Sequence, residues 1–314
     1  MSSRKPRVAV IGTGRMGSAM ARAISRAGFE LVVHNRTPDR AAILAAQVGC
    51  SVAATPAEAS AAADVAITML ADDAAVRATY EGAAGLLAGA HPGVVLVEMS
   101  TVRPDTITAL GPAAHAAGAG LLDAPVSGSV HLAEAGALTL MVGGDAAHLE
   151  HARPVLEAVS KSIFHMGPLG TGAAMKLAVN TVIFGLNGAL AEGLVLAEAA
   201  GIDRPLAYDV IAAGAAGAPY VGYKRGAFLE PDATPVAFSL DLTEKDLGLI
   251  TDYAAALGVE LPQTEVNRAV VRASGTGGRG SNDFSSVAAE LRSRRTGRVT
   301  IPALAGLPGE GPRA

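Results

Sequence analysis

A short apolar run, Arg7-Val8-Ala9-Val10-Ile11, leads directly into Gly12-Thr13-Gly14-Arg15-Met16-Gly17 and then into the amphipathic stretch Ser18–Ala27. No other feature restricts the fold of this chain as strongly. A G-x-G-x-x-G turn between a strand and a helix has a definite physical use. Gly12 permits the tight turn, Gly14 lets the backbone approach a pyrophosphate, and Gly17 lets the helix lie close on the strand. The N–H groups of the first helical turn then face the anion. Glycines in a glycine-rich chain carry little by themselves; their place between strand and helix gives the pattern its weight. The turn predicts a nucleotide-binding α/β domain, with Thr13, Arg15 and Met16 lining the same loop.

The rest of the chain sorts around that turn. Apolar runs at Val8–Ile11, Leu31–Val33, Val65–Met69, Val94–Glu98, Leu121–Asp123 and Leu138–Val142 alternate with helical patterns such as Met16–Ala27 and Arg40–Val48. This alternation predicts a mostly parallel sheet with helices on both faces. After Gly167-Pro168-Leu169-Gly170 the periodicity becomes helical and strand-like alternation almost vanishes. A chain of 314 residues also exceeds what one hydrophobic core readily serves, roughly 250–300 residues. We expect a nucleotide-binding domain over residues 1–168, an all-helical domain over 169–292 entered by a long interdomain helix, and a mobile Gly/Pro-rich tail over 293–314. In the long helix, Gly185, Gly188 and Gly193 predict close packing of another backbone.

Composition narrows the function. A net charge of −4 with no dense Lys/Arg run before the tail argues against a nucleic-acid surface. The lone Cys50 permits no intramolecular disulfide, and seven scattered His at no ligand spacing imply no metal. The polar Met1–Arg7 is not a secretory signal, which predicts a cytoplasmic protein. Leu177–Ala197 is apolar, but Asn180, Asn187 and Glu192 interrupt it, so a helix buried in protein is expected there and no membrane partner.

Cofactor choice is read at the end of the second strand, where an acid would accept the ribose hydroxyls of NAD. This chain has His34-Asn35-Arg36-Thr37. With no carboxylate to repel a phosphate, and with a guanidinium fork on Arg36 beside Asn35 and the Thr37 hydroxyl, NADPH/NADP is expected over NAD. Further on, Lys176 and Asn180 are four apart in a helical pattern and share a face. Taken alone, such a lysine reads more readily as a snorkelling surface residue. Asp241-Leu242-Thr243-Glu244 reads as a helix cap with a reciprocating Glu, which would put Lys245 in the first turn. A cation there opposes the helix dipole, and a broken local rule often marks function.

Four segments together resemble one family: Gly12–Gly17, Asp123-Ala124-Pro125-Val126-Ser127-Gly128, Gly170–Asn180, and Glu244-Lys245-Asp246. They span residues 7 to about 262 in the order found in the β-hydroxyacid dehydrogenases, the hydroxyisobutyrate dehydrogenase-like proteins. The resemblance implies a Rossmann domain followed by a helical domain, with homodimers or homotetramers built through the helical domains. It implies Lys176 as general acid, with Asn180 holding substrate and lysine. Ser127, Gly128 and Ser129 would hold the substrate carboxylate. Leu70, Ala71 and Thr101 would touch the cofactor, and Lys245 would close over its nicotinamide half with Asp246 orienting it. Pro125–Ser129, Met175–Asn180 and Ala191–Leu196 look most like the glyoxylate and succinic semialdehyde reductases; His131, Tyr220 and Asp241 depart from that group. The expected activity is NADPH-dependent reduction of a small aldehyde-acid, or its reverse. Imine reductases share the architecture but usually lack the lysine at position 176. A non-catalytic dinucleotide-sensing protein would have no need of Lys176 and Asn180.

Overall fold

In the computed structural model, which describes residues 4–294, the chain divides into two compact units. Of the described residues, the first takes in 4–181 together with Gly248–Glu260; the second takes in Val182–Leu247 and 261–294. The tail expected from residue 293 lies, from 295 on, outside the described residues.

The first unit is built on one sheet: β1 (Val8–Ile11), β2 (Leu31–His34), β3 (Ser51–Val52), β4 (Val65–Thr68), β5 (Val95–Glu98), β6 (Gly120–Asp123), β7 (Val126–Ser127), β8 (Leu138–Gly144) and β9 (Ser160–Gly167). Their order is β3-β2-β1-β4-β5-β6-β8-β7, with β9 paired to β8. The strands from β1 to β6 are parallel, β8 runs antiparallel to β6, and β9 follows β8 in parallel. Strand order reverses at β1, between β2 and β4, which leaves the crevice at their carboxyl ends where nucleotides bind in doubly wound sheets. Along β1, Val8 and Val10 enter one apolar core while Ala9 and Ile11 enter the other. Burial on both faces explains why these strands read as continuous apolar runs. The sequence does not announce β3, β7 or β9. The first two are two residues long, and β9 is a polar strand with Phe164 and His165 exposed.

Among the described residues, eight helices lie wholly within this unit: α1 (Arg15–Arg26), α2 (Pro38–Val48), α3 (Pro56–Ala61), α4 (Asp73–Tyr80), α5 (Leu86–Gly89), α6 (Pro104–Ala116), α7 (Val130–Glu134) and α8 (Ala146–Leu156). The 29-residue α9 (Thr171–Ala199) runs from the first unit into the second. There follow α10 (Arg204–Ala213), α11 (Pro219–Leu229), α12 (Leu240–Ala256), α13 (Pro262–Gly275) and α14 (Val287–Ser293).

The second unit is helical, and its core is aromatic. Phe184, Tyr220 and Phe238 each set a ring about 6 Å from Phe284. Asn187 ties that cluster by accepting from the Tyr220 hydroxyl at 2.7 Å and donating to the Phe284 carbonyl at 3.1 Å. Tyr220, one of the positions departing from the reductase group that the sequence most resembles, is thereby committed to the core. Lys224, also buried, reaches both oxygens of Asp283 at 2.6 and 2.8 Å.

Two expectations for α9 need correction. Gly188 does sit against a neighbour, since a Cβ there would lie 2.8 Å from Asn267 Oδ1, but Gly185 has open space around it. Nor is the helix simply buried. It is long and apolar enough to cross a membrane by length and composition, and only 28% of its most apolar window is inside the protein. Val182 and Leu196 are among its exposed apolar side chains.

Candidate active site

The glycine turn after β1 has the geometry its sequence demands. Gly12 adopts φ +94°, and a Cβ on it would lie 2.3 Å from the Met69 carbonyl oxygen. A Cβ on Gly17 would strike the Gly12 carbonyl, whereas at Gly14 nothing lies within 4 Å. The turn is thus closed on the protein side and open at Gly14. Gly14 is also the N-cap of α1, which has no side-chain cap and no acid in its first turn. An uncapped helix start beside an open glycine fits a pyrophosphate. Thr13 N donates to Asn35 Oδ1 at 3.0 Å, and Asn35 Nδ2 donates to the Thr37 carbonyl at 3.0 Å, so the turn and the loop after β2 form one structure. Arg15, Arg36 and Thr37 are exposed there, and Met16 is half-buried. His34 is occupied by the Ala53 carbonyl at 3.0 Å.

The loops after β4 and β5 lie alongside. Leu70 reaches within 3.1 Å of the position a Gly12 Cβ would take, and its N–H donates to Ser100 Oγ at 2.7 Å. That bond brings Leu70 and Ala71 together with Ser100 and Thr101.

The third group forms where β6 meets the start of α9. Asp123, the last residue of β6, is buried and accepts from Gly170 N at 2.8 Å and from Ala173 N at 2.6 Å. Burial pushes its carboxyl up to about 6, against the opposing pull of those N–H groups. A Cβ on Gly172 would lie 2.3 Å from the Met141 carbonyl and 2.6 Å from that of Asp123, so the first turn of α9 rests on the sheet itself. Lys176 and Asn180 follow in the next turns, half-buried and buried respectively. On the other side of Asp123 runs the loop with Ser127 in β7 and Gly128 at φ +141°. Ser129 caps α7 by accepting from Leu132 N at 3.3 Å. One carboxylate therefore holds the lysine helix to the strand that leads into the proposed substrate loop. In the sequence Asp123 stands out only as part of a motif; its partners lie 47 and 50 residues away.

Lys245 belongs to the second unit, and here the sequence reading needs correction. Helix α12 starts at Leu240, and Leu242 N donates to Ser239 Oγ at 3.3 Å, so Ser239 is the cap and Asp241 lies inside the first turn. Glu244 does not reciprocate; it accepts from Arg268 at 3.1 Å and Arg272 at 2.6 Å. Lys245 is consequently in the second turn, where the argument from a broken dipole rule lapses. Its ammonium lies 2.9 Å from Asp246 Oδ1.

Known families match two consecutive stretches of the chain. Residues 7–167 match the NAD-binding domain of 6-phosphogluconate dehydrogenase, and residues 170–291 match the NAD-binding domain of NADP-dependent 3-hydroxyisobutyrate dehydrogenase. The chain is 32% identical to glyoxylate/succinic semialdehyde reductase 2 of Arabidopsis thaliana, over 92% of this chain and 80% of that protein. It is 35% identical to the NAD-dependent L-serine dehydrogenase of Pseudomonas aeruginosa, over 89% of this chain and 96% of the relative. Among solved structures, the 3-hydroxyisobutyrate dehydrogenase of Mycobacterium tuberculosis with L-serine superposes with a TM-score of 0.80 at 34% identity, covering 92% of this chain and 100% of the other. An open glycine turn for a dinucleotide, a lysine helix anchored to the sheet, and relatives that are dehydrogenases and reductases lead to one assignment: the chain belongs to the β-hydroxyacid dehydrogenases, NAD(P)-dependent oxidoreductases with a Rossmann-like domain followed by a helical one.

Proposed function

We propose that this chain is an NADPH-preferring reductase of a small aldehyde-acid of the glyoxylate or succinic semialdehyde type, running in reverse as a hydroxyacid dehydrogenase. The observation that carries the reading is the placement of Lys176 and Asn180 on one face of α9, whose start Asp123 ties to the strand entering the Ser127–Ser129 loop. Gly12–Gly17, Asn35, Arg36, Thr37, Leu70, Ala71, Thr101 and Lys245 would hold the cofactor. Bound there, the reduced nicotinamide supplies the hydride.

The protein supplies the rest. The ammonium of Lys176 donates a proton to the substrate's carbonyl oxygen and stabilises the charge developing on it; in the reverse direction the neutral amine takes the hydroxyl proton. Asn180 donates its amide to the same oxygen and restrains the lysine. The Ser127 hydroxyl and the N–H groups of Gly128 and Ser129 bind the carboxylate. For the preference for NADPH, the support is the exposed Arg36 and the absence of an acid in His34-Asn35-Arg36-Thr37. The relatives use different substrates, L-serine among them, so the aldehyde-acid is the finer part of the proposal. We also propose a nucleotide domain over residues 1–168 and a helical domain over 169–292. A cytoplasmic homodimer would cover the exposed Val182, Leu196, Leu206 and Val210 of the second unit.

The test is a spectrophotometric assay of NADPH and NADH oxidation with glyoxylate, succinic semialdehyde, methylmalonate semialdehyde and a cyclic imine. Turnover of an aldehyde-acid, faster with NADPH and with that preference lost in Arg36→Ala, is expected. Turnover of the imine alone would move the chain to imine reduction, and no turnover of any would leave the dinucleotide-sensing reading.

A further inference from the structure

A buried carboxylate lies behind the cofactor crevice, and the chemistry described above does not use it. Thr68 and Glu98 are direct cross-strand partners at the carboxyl ends of β4 and β5, and both are essentially without solvent exposure. The Thr68 hydroxyl donates to Glu98 Oε2 at 2.5 Å, and the Tyr80 hydroxyl of α4 lies 3.1 Å from the Thr68 oxygen. The other oxygen of Glu98 accepts from Ser100 N at 2.7 Å. Ser100 Oγ in turn accepts from Leu70 N at 2.7 Å. Outside this chain of bonds, Asp73 Oδ1 accepts from Arg103 N at 2.9 Å. The β4 and β5 turns are thus fastened together twice, and the inner fastening passes through one carboxyl group.

A buried charge is costly unless its bonds are specific, and an apolar pair would fill this space more cheaply. Glu98 has no cationic partner in this network; what its charge strengthens is the pair of bonds to Ser100 N and Thr68. We propose that Glu98 is a positioning residue that locks the Leu70–Ala71 and Ser100–Thr101 turns in the arrangement that accepts the dinucleotide. The inference rests on the reading that these turns touch the cofactor. It gives the carboxylate a task unrelated to stability, because ionised Glu98 holds the turns at the expense of the fold. Burial raises this carboxyl to about 7, against the bonds from Ser100 and Thr68, and the charge of Asp73 raises it further. The titratable groups of α4 that act on it or are acted on by it are Asp73 and Tyr80, the latter pushed well above its ordinary range by burial and by Glu98. Glu98 ionises as pH rises through about 7, so cofactor affinity should rise and intrinsic stability fall over the same range.

The experiment is calorimetric titration of the whole protein with NADP+ and with NAD+ from pH 5.5 to 8.5, alongside urea unfolding, for wild type, Glu98→Gln, Ser100→Ala and Thr101→Ala. NAD+ is included because the 2′-phosphate of NADP+ itself titrates at about 6. At pH 8 we expect Glu98→Gln to bind both cofactors about tenfold more weakly, the effect of losing a hydrogen bond to a charged group, while unfolding at no lower a urea concentration than wild type. Its NAD+ affinity should no longer rise between pH 6 and 8. Ser100→Ala, which removes the acceptor for Leu70 N and keeps Glu98, should weaken binding in the same sense and guards against failure of the first variant to fold. A folded Glu98→Gln that binds as wild type does at every pH, or one that loses stability and affinity together, would overturn the proposal. Thr101→Ala separates the causes: weaker binding in that variant leaves the turns as cofactor contacts and removes only Glu98, whereas no change in either removes both.

Discussion

Two helices of the nucleotide-binding unit begin beside the carboxyl end of a parallel strand, and they treat their first N–H groups in opposite ways. At α1, next to β1, the cap is Gly14, no side chain accepts from the first turn, and nothing lies within 4 Å of where a Cβ on the glycine would stand. At α9, next to β6, the carboxylate of Asp123 takes the N–H groups of Gly170 and Ala173. Both helix starts favour negative charge. At α1 the anion must come from a ligand; at α9 it is built into the strand. The same element is a binding site where it is left open and a fastening where it is filled, and the filled helix is the one that carries Lys176.

The largest effect should follow from closing the open start. In Gly12→Val the side chain would meet the Met69 carbonyl, at 2.3 Å for the Cβ alone, in a backbone conformation with φ +94° that β-branched residues avoid. Dinucleotide binding should become undetectable by calorimetry, with a stability loss of at least about 2 kcal/mol. A variant that bound NADPH normally would deny the turn its role.

Unfastening the filled start should act differently. Asp123→Asn sets an amide donor against a backbone donor in a buried site, at a cost of about 1–3 kcal/mol in urea unfolding. Because it frees the helix and not the glycine turn, turnover should fall about tenfold or more while NADPH affinity changes little. Equal losses of turnover and cofactor affinity would erase the distinction between the two helix starts.

The smallest of these effects is in the pH dependence of stability. Glu98 at about 7 and Asp123 at about 6 are both raised by burial from 4.5 and 3.8. At these two sites the native state holds protons that the unfolded chain has released, so their contribution to stability is full below about pH 4 and is lost as pH rises toward 7. Urea unfolding at a series of pH values should show the decline in wild type and a shallower one in Glu98→Gln; identical slopes would count against the raised carboxyl.

The contrast also explains what was legible in the sequence. The α1 start is six consecutive residues whose task is done by backbone, so spacing alone reveals it. The α9 start depends on Asp123 meeting residues 47 and 50 positions on, and the Glu98 network on Thr68 and Leu70 meeting partners 30 positions on. No local pattern encodes such meetings. The start of α12 shows a nearer failure: Ser239 and Asp241 are both competent caps, and Arg268 and Arg272 draw Glu244 away from the reciprocating bond. The six apolar runs of the sheet are readable because burial on both faces makes them apolar, while β9, polar and largely exposed, is not.

The central claim is that α9 delivers a proton donor to a substrate whose hydride comes from a cofactor bound elsewhere in the same crevice-forming fold. Lys176→Ala tests it directly, measured as single-turnover aldehyde-acid reduction and, on the same sample, as the dissociation constant for NADPH. We expect the rate to fall by about three orders of magnitude, within the range of general acid–base catalysis, with cofactor affinity unchanged. A correctly folded variant that reduces its substrate at the wild-type rate would contradict the account.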